Sequence, residues 1–276
     1  MVPGCTDEGG GEFECDLTHD GTARKYHLHI PESYAQRPAS GAMLVFNFHG
    51  LNTTAGVQKY LSGMNERSDA RGFVVVTPEG TGMSWNAGNC CGSAYTNQVD
   101  DVGFTLAILE HVQQSLCIDP KRVYSTGLSN GGHFSYRLAC EHSETFAAIA
   151  SISGLVVVSP CTPSRATPIL HFHGTSDTIV SYQYGIDGVN GAEEVTSAWA
   201  DVNGCSTSTE VTYQQGDVTC RAYTGCSDNA VVELCTIDGG GHQWPGGNSI
   251  PLLGHTTEDI SATDYLLDFF EAHPLP

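Results

Sequence analysis

The sequence is poor in positive charge. Eleven Lys and Arg stand against 31 Asp and Glu, a net charge of −20 at pH 7. A polyanion of that size is repelled by DNA, RNA and anionic lipid, which argues against nucleic-acid or membrane partners. No run of 18 apolar residues occurs, so no transmembrane helix is expected. No C-x-x-C pair occurs either, and no Cys/His spacing matches a zinc site. The chain lacks internal repeats, low-complexity linkers and a second compositional block. With 276 residues and 40% hydrophobic content, one globular domain spanning 1–276 is expected.

Glycine and cysteine are abundant instead. Thirty-two glycines imply many tight turns and close backbone approaches. Eleven cysteines without metal spacing point to disulfides and a secreted, extracellular chain. The count is odd, so at least one thiol is unpaired or pairs between chains. Local pairs suggested by position are Cys5–Cys15, across a Gly-rich turn, and Cys140–Cys161, between a helix end and the loop after a strand. Cys205, Cys220, Cys226 and Cys235 share one late β-rich segment, and their connectivity stays open. Met1-Val2-Pro3-Gly4 starts no charged or apolar leader region. The expectation is a mature form, its signal peptide removed and an initiator Met added. Residues 1–20 read as an N-terminal arm pinned by two cysteines.

Hydrophobic patterning alternates between two kinds of element. Arg24–Ile30, Met43–Phe48, Phe73–Thr77, Arg122–Thr126, Phe146–Ile152, Pro168–Phe172 and Val231–Ile237 read as strands. Val57–Arg71, Val102–Leu116, Asn130–Cys140, Glu193–Val202 and Ile260–Glu271 read as helices. Asp100 or Asp101 stands where an N-cap belongs. Short, continuously apolar strands between helices imply an α/β fold, a mostly parallel sheet covered by helices on both faces.

Gly127-Leu128-Ser129-Asn130-Gly131 matches G-x-S-x-G. The pattern alone is weak, but it sits between a strand and a helix, as a nucleophile elbow requires. The glycines two before and two after Ser129 remove side chains that would clash in such a tight turn. A serine hydroxyl needs a base, and the base needs an orienting carboxylate. Asp177 follows the strand Pro168–Phe172, and His242 follows Val231–Ile237 after three glycines. The order Ser129, Asp177, His242 is that of a strand-borne hydrolase triad. An oxyanion hole takes the backbone N–H after the nucleophile, here Asn130, and a second from the loop after an early strand. His49-Gly50-Leu51 supplies that loop, with the Leu51 N–H as the second donor.

With these motifs in hand the chain resembles the secreted α/β-hydrolases that include poly(3-hydroxybutyrate) depolymerases and feruloyl esterases of carbohydrate esterase family 1. The matching stretches are HGL (His49–Leu51), WNAGNCCG (Trp85–Gly92), VDDVGF (Val99–Phe104), IDPKRVYSTGLSNGG (Ile118–Gly132), HGTSD (His173–Asp177) and GGGHQWPGG (Gly239–Gly247). The resemblance implies the α/β-hydrolase fold and a serine carboxylic-ester hydrolase working through an acyl-enzyme. It assigns Ser129 as nucleophile, Asp177 as orienting acid and His242 as base, and it implies no cofactor and no metal. Relatives often carry Cys after the HG pair, where Leu51 stands here.

The implied substrates are hydroxycinnamoyl esters of plant polysaccharide; alternatives are a polyhydroxyalkanoate or other polyester, or an acetyl ester. Secreted polyester depolymerases commonly add a linker and a binding module, which this sequence does not show, so a feruloyl-type ester is favoured. A non-catalytic hydrolase-like binding protein is the rival from another class. Trp85 and Trp244 flank the site in sequence and are expected as an aromatic substrate wall. His171 and His173 could ligate a metal, but structural roles fit two strand-end histidines better. Asn52-Thr53-Thr54 is a glycosylation sequon too near the oxyanion loop to be used.

Overall fold

The computed structural model of the chain describes residues 2–186 and 188–276; Met1 lies outside them. In chain order the elements are β1 (Cys5–Gly9), β2 (Glu12–His19), β3 (Thr22–His29), β4 (Ala42–Phe48), α1 (Ala55–Ser62), α2 (Met64–Arg71) and β5 (Val74–Pro78). Next come α3 (Gly92–Thr96), α4 (Asp101–Gln113), β6 (Ile118–Leu128), α5 (Asn130–Glu141), β7 (Ala148–Ile152) and β8 (Ile169–Gly174). The chain closes with α6 (Ala192–Val202), β9 (Thr209–Gln215), β10 (Val218–Tyr223), β11 (Val232–Ile237) and α7 (Ala262–Ala272).

Among the described residues, eleven strands join one sheet in the order β1-β2-β3-β5-β4-β6-β7-β8-β11-β10-β9. The six central strands, β5 to β11 in that order, are parallel, and both flanks are antiparallel. Parallel strands buried on both faces need apolar residues at every position. β4 shows why. Leu44, Phe46 and Phe48 pack into one core with residues of α4, α5 and α6, whereas Met43 and Val45 pack into the other with residues of α1, α2 and α7.

Two expectations change. Val57–Arg71 is two helices, because Gly63 takes a left-handed φ of 56° and caps the first. The N-terminal segment is a β-hairpin at the sheet edge rather than an arm. Its polar, half-exposed alternation gave no buried-strand signal. Cys5 and Cys15 lie directly opposite in that hairpin and are paired, as position suggested. Cys140–Cys161 is also paired. Cys205–Cys226, Cys220–Cys235 and the neighbours Cys90–Cys91 complete the set, leaving Cys117 free and exposed. Asp100 caps α4, accepting a hydrogen bond from Gly103 N at 2.9 Å. Asp101 is buried, and it accepts from Arg24 and from the Asn86 N–H, each at 2.8 Å. That pair of bonds anchors the Trp85–Asn86 turn to the start of α4.

Candidate active site

β6 runs straight into α5 with only Ser129 between them. Ser129 adopts φ 57° and ψ −118°, a strained conformation for a residue with a Cβ. Its neighbours explain how the turn closes. A side chain on Gly127 would come within 2.6 Å of the Phe48 carbonyl oxygen, and one on Gly131 would overlap that same atom. The tightness presses α5 onto β4 and raises the hydroxyl at the carboxyl end of the parallel strands, where ligands bind in such sheets.

Asp177 lies in the turn after β8. Its Oδ1 accepts from the Ile179 and Val180 amides, each at 2.9 Å, and its Oδ2 faces His242 Nδ1 at 2.7 Å. Burial pushes this carboxyl up. The hydrogen bond and charge of His242, the charge of His173 and the Val180 amide outweigh burial and hold it below the usual carboxylate range. An ionised carboxylate only accepts, so the proton sits on His242 Nδ1 and Nε2 is left as the basic nitrogen. His242 arrives on the loop after β11. The preceding glycines serve close packing more than freedom to swing. Gly240 packs against Gly174, and a side chain on Gly241 would strike the Leu253 carbonyl.

Ser129, Asn130, His242, Gly50 and Leu51 line one cavity of about 530 Å³. As the first residue of α5, Asn130 has an N–H without a partner inside the helix. The Leu51 loop lines the same cavity. Both residues expected to supply oxyanion donors therefore line the same cavity as Ser129. His49, which sequence reasoning passed over, holds this loop. Its Nε2 accepts from Gly80 N at 2.9 Å and its Nδ1 donates to Gly50 O at 2.8 Å. Burial lowers its pKa, so the ring stays neutral and the tautomer is set by those two partners. The Asn130 carboxamide also has a task, clasping the Trp85 backbone through bonds of 2.7 and 2.9 Å.

The aromatic wall expected from Trp85 and Trp244 is not there. Both indoles are fully buried and line no part of the cavity. Trp85 stacks on Phe134 and donates its N–H to His49 O at 3.0 Å. Trp244 donates to Thr263 Oγ1 at 2.9 Å, in the core on the α7 side of the sheet. Each N–H finds a buried partner, which lets a large amphipathic ring sit in a core. The cavity wall is instead mainly aliphatic. Leu51, Ile179, Val180, Ile186, Ile250 and Leu253 form it, with Tyr95 as its aromatic member. Those residues come from three loops and from α3, so no local periodicity marks them.

His171 and His173 are engaged in a buried relay. Tyr136 OH contacts His171 Nδ1 at 2.9 Å, His171 Nε2 contacts His173 Nδ1 at 3.0 Å, and His173 Nε2 contacts Val180 O at 2.8 Å. All four ring nitrogens are used, which is a structural role. His133 lines the same cavity as Ser129 and His242, and its Nδ1 accepts from the Leu155 N–H at 2.6 Å. Burial drives His133 from 6.5 down to about 4 and lowers His171 and His173 as well. The unfolded chain then binds more protons than the folded one between about pH 6.5 and 4. Stability should fall as pH drops through that window. Melting temperatures recorded across it test this, and a flat or rising profile contradicts it.

The comparisons with known proteins fit this geometry. A family model described as the prolyl oligopeptidase family matches residues 61–160, the stretch that holds the Ser129 elbow. An acetyl xylan esterase structure from Aspergillus awamori superposes with a TM-score of 0.66 at 17% identity, covering 94% of this chain and 98% of that one. The chain has the α/β-hydrolase fold. Among curated sequences the chain is 32% identical over 241 residues to feruloyl esterase B of Piromyces equi, covering 79% of this chain. It is 28% identical to feruloyl esterase D of Neurospora crassa, covering 81% of this chain and 75% of that one. It spans only 42% of the length of the Piromyces protein.

Proposed function

We propose that this α/β-hydrolase is a secreted serine carboxylic-ester hydrolase acting on hydroxycinnamoyl esters of plant polysaccharide. One observation carries the reading. A serine on a strained elbow shares a cavity with a histidine whose far nitrogen is held by a buried carboxylate at 2.7 Å. In the proposed cycle Ser129 Oγ attacks the ester carbonyl and His242 Nε2 takes its proton. The oxyanion is met by the Leu51 and Asn130 amides, each worth about 3–4 kcal/mol of barrier. Collapse releases the sugar alcohol with the proton from His242. Water then cleaves the acyl-enzyme by the same steps.

The acyl class is supported by the feruloyl esterases among the relatives and by the cavity itself. About 530 Å³ with a mainly aliphatic wall and one tyrosine suits a flat phenylpropenoyl group, and it exceeds what an acetyl group fills. Secretion is supported by five cysteine pairs, which persist in an oxidising compartment. A parallel assay on methyl ferulate, an acetylated xylan and a polyhydroxybutyrate suspension tests the substrate. The highest kcat/KM is expected on methyl ferulate. Hydrolysis of the acetylated xylan or the polyester in its place overturns the acyl assignment.

A further inference from the structure

Gln243 directly follows His242 and plays no part in the chemistry above. It is nonetheless buried, 4% exposed, and all but one of its hydrogen-bonding valences are filled. Its Nε2 donates to Ile250 O at 2.7 Å and to Gly254 O at 3.0 Å, and its Oε1 accepts from Ile250 N at 3.0 Å. The two carbonyls can only accept, which fixes the orientation of the amide. All three partners lie on the segment 250–254, which contains no helix or strand. That segment carries two residues of the cavity wall, Ile250 and Leu253. Between them, Leu252 is fully exposed, so side-chain burial does not secure the tip of the loop.

Backbone bonds alone tie this loop loosely. Gly241 N reaches His255 O at 2.9 Å, and His242 N reaches Leu253 O at 2.7 Å. Outside the loop, Asp217 accepts from His255 at 2.9 Å. The Ile250 end of the segment is held by the Gln243 amide and a 3.3 Å bond from Leu253 N to Ile250 O; two residues upstream, Asn248 donates to Tyr60 O at 2.7 Å and to Leu61 O at 3.2 Å. A carboxamide is the one side-chain group that satisfies two carbonyls and an amide N–H at once without burying a charge. The His242 loop is thus tied to the hydrophobic wall at Leu253 by the His242 amide and at Ile250 by one buried side chain.

We propose that Gln243 is a positioning residue that sets acyl selectivity by fixing the Ile250–Leu253 wall against the His242 loop. The inference rests on the esterase reading above. A large acyl group presses on that wall in both the bound and the reacting state, so loss of the clamp should weaken its binding. An acetyl group does not reach the wall and should be affected less. A purely structural role for Gln243 would instead lower kcat on all esters together.

The test compares 4-nitrophenyl ferulate with 4-nitrophenyl acetate, which share a leaving group, in wild type, Gln243→Met, Gln243→Glu and Leu253→Ala. If wild type hydrolyses neither ester, the esterase reading itself fails. Given an active wild type, Gln243→Met should raise KM for the ferulate and lower the ferulate-to-acetate ratio of kcat/KM by ~10-fold or more. Gln243→Glu, which keeps the acceptor but sets a buried carboxylate against two carbonyl oxygens, should shift the ratio at least as far as Gln243→Met. Leu253→Ala keeps its backbone bond to His242 and removes only a wall side chain. It should shift selectivity the same way, and it carries the test if Gln243→Met does not fold. Equal losses on both esters in the Gln243 variants, or an unchanged ratio in Leu253→Ala, would overturn the proposal.

Discussion

Ser129→Ala should lower kcat on 4-nitrophenyl butyrate by a factor on the order of 10⁶, with the fold intact. The substitution removes one oxygen from a turn whose strain resides in its backbone, so Ala at φ 57° is no worse placed than Ser. What is lost is the covalent route. The Leu51 and Asn130 amides and the cavity remain, and they should sustain a residual rate of roughly 10³–10⁴ over water. A variant with near wild-type kcat and an unchanged melting temperature would remove Ser129 from the mechanism. It would also revive the reading of a binding protein on a hydrolase scaffold.

Asp177→Asn should be nearly as damaging, about 10⁴-fold in kcat, through a different cause. Asn can still accept from the Ile179 and Val180 amides, so the turn should survive. The other end of its amide then presents N–H toward His242 Nδ1, where the carboxylate oxygen sits now at 2.7 Å. His242 is forced to accept there and to carry its proton on Nε2. Nε2 can then no longer take the Ser129 hydroxyl proton. A near-normal kcat in this variant would show that Asp177 does not set the tautomer. Loss of the melting transition would show that it matters first for folding. Asp177→Ser, which leaves the ring unheld, would then separate the two effects.

Much of the site could be read from the chain because it is written in local chemistry. The elbow needs glycine on both sides of Ser129, and Gly127 and Gly131 stand against the Phe48 carbonyl as that requirement demands. Asp177 and His242 follow β8 and β11 directly, so predicting the strands also located the residues. The central strands were legible for a related reason. Burial on both faces leaves continuous apolar runs such as Phe73–Thr77, and few other structures produce them.

Other features left no such trace. β1, β2 and β9 are edge-region strands with polar, partly exposed faces, which composition does not separate from loops. Trp85 and Trp244 were misjudged because nearness in sequence to His242 or to a glycine-rich loop says nothing about which way an indole points. Their N–H groups are taken up inside the protein. The two tasks of Asn130, its amide at the cavity and its side chain on Trp85, depend on a loop 45 residues away.

By itself the sequence determined the acidic, cysteine-rich character of the chain, the alternation that makes a parallel sheet, and three candidate residues in hydrolase order. Each follows from rules that act within a few residues: charge, hydrophobic period and turn sterics. Tertiary structure alone decided the shape of the cavity, the identity of its aliphatic wall and the clamp at Gln243. Those features join loops far apart in the chain, and hydrogen bonds such as Gln243 to Ile250 and Gly254 exist only once the sheet has brought the loops to one edge.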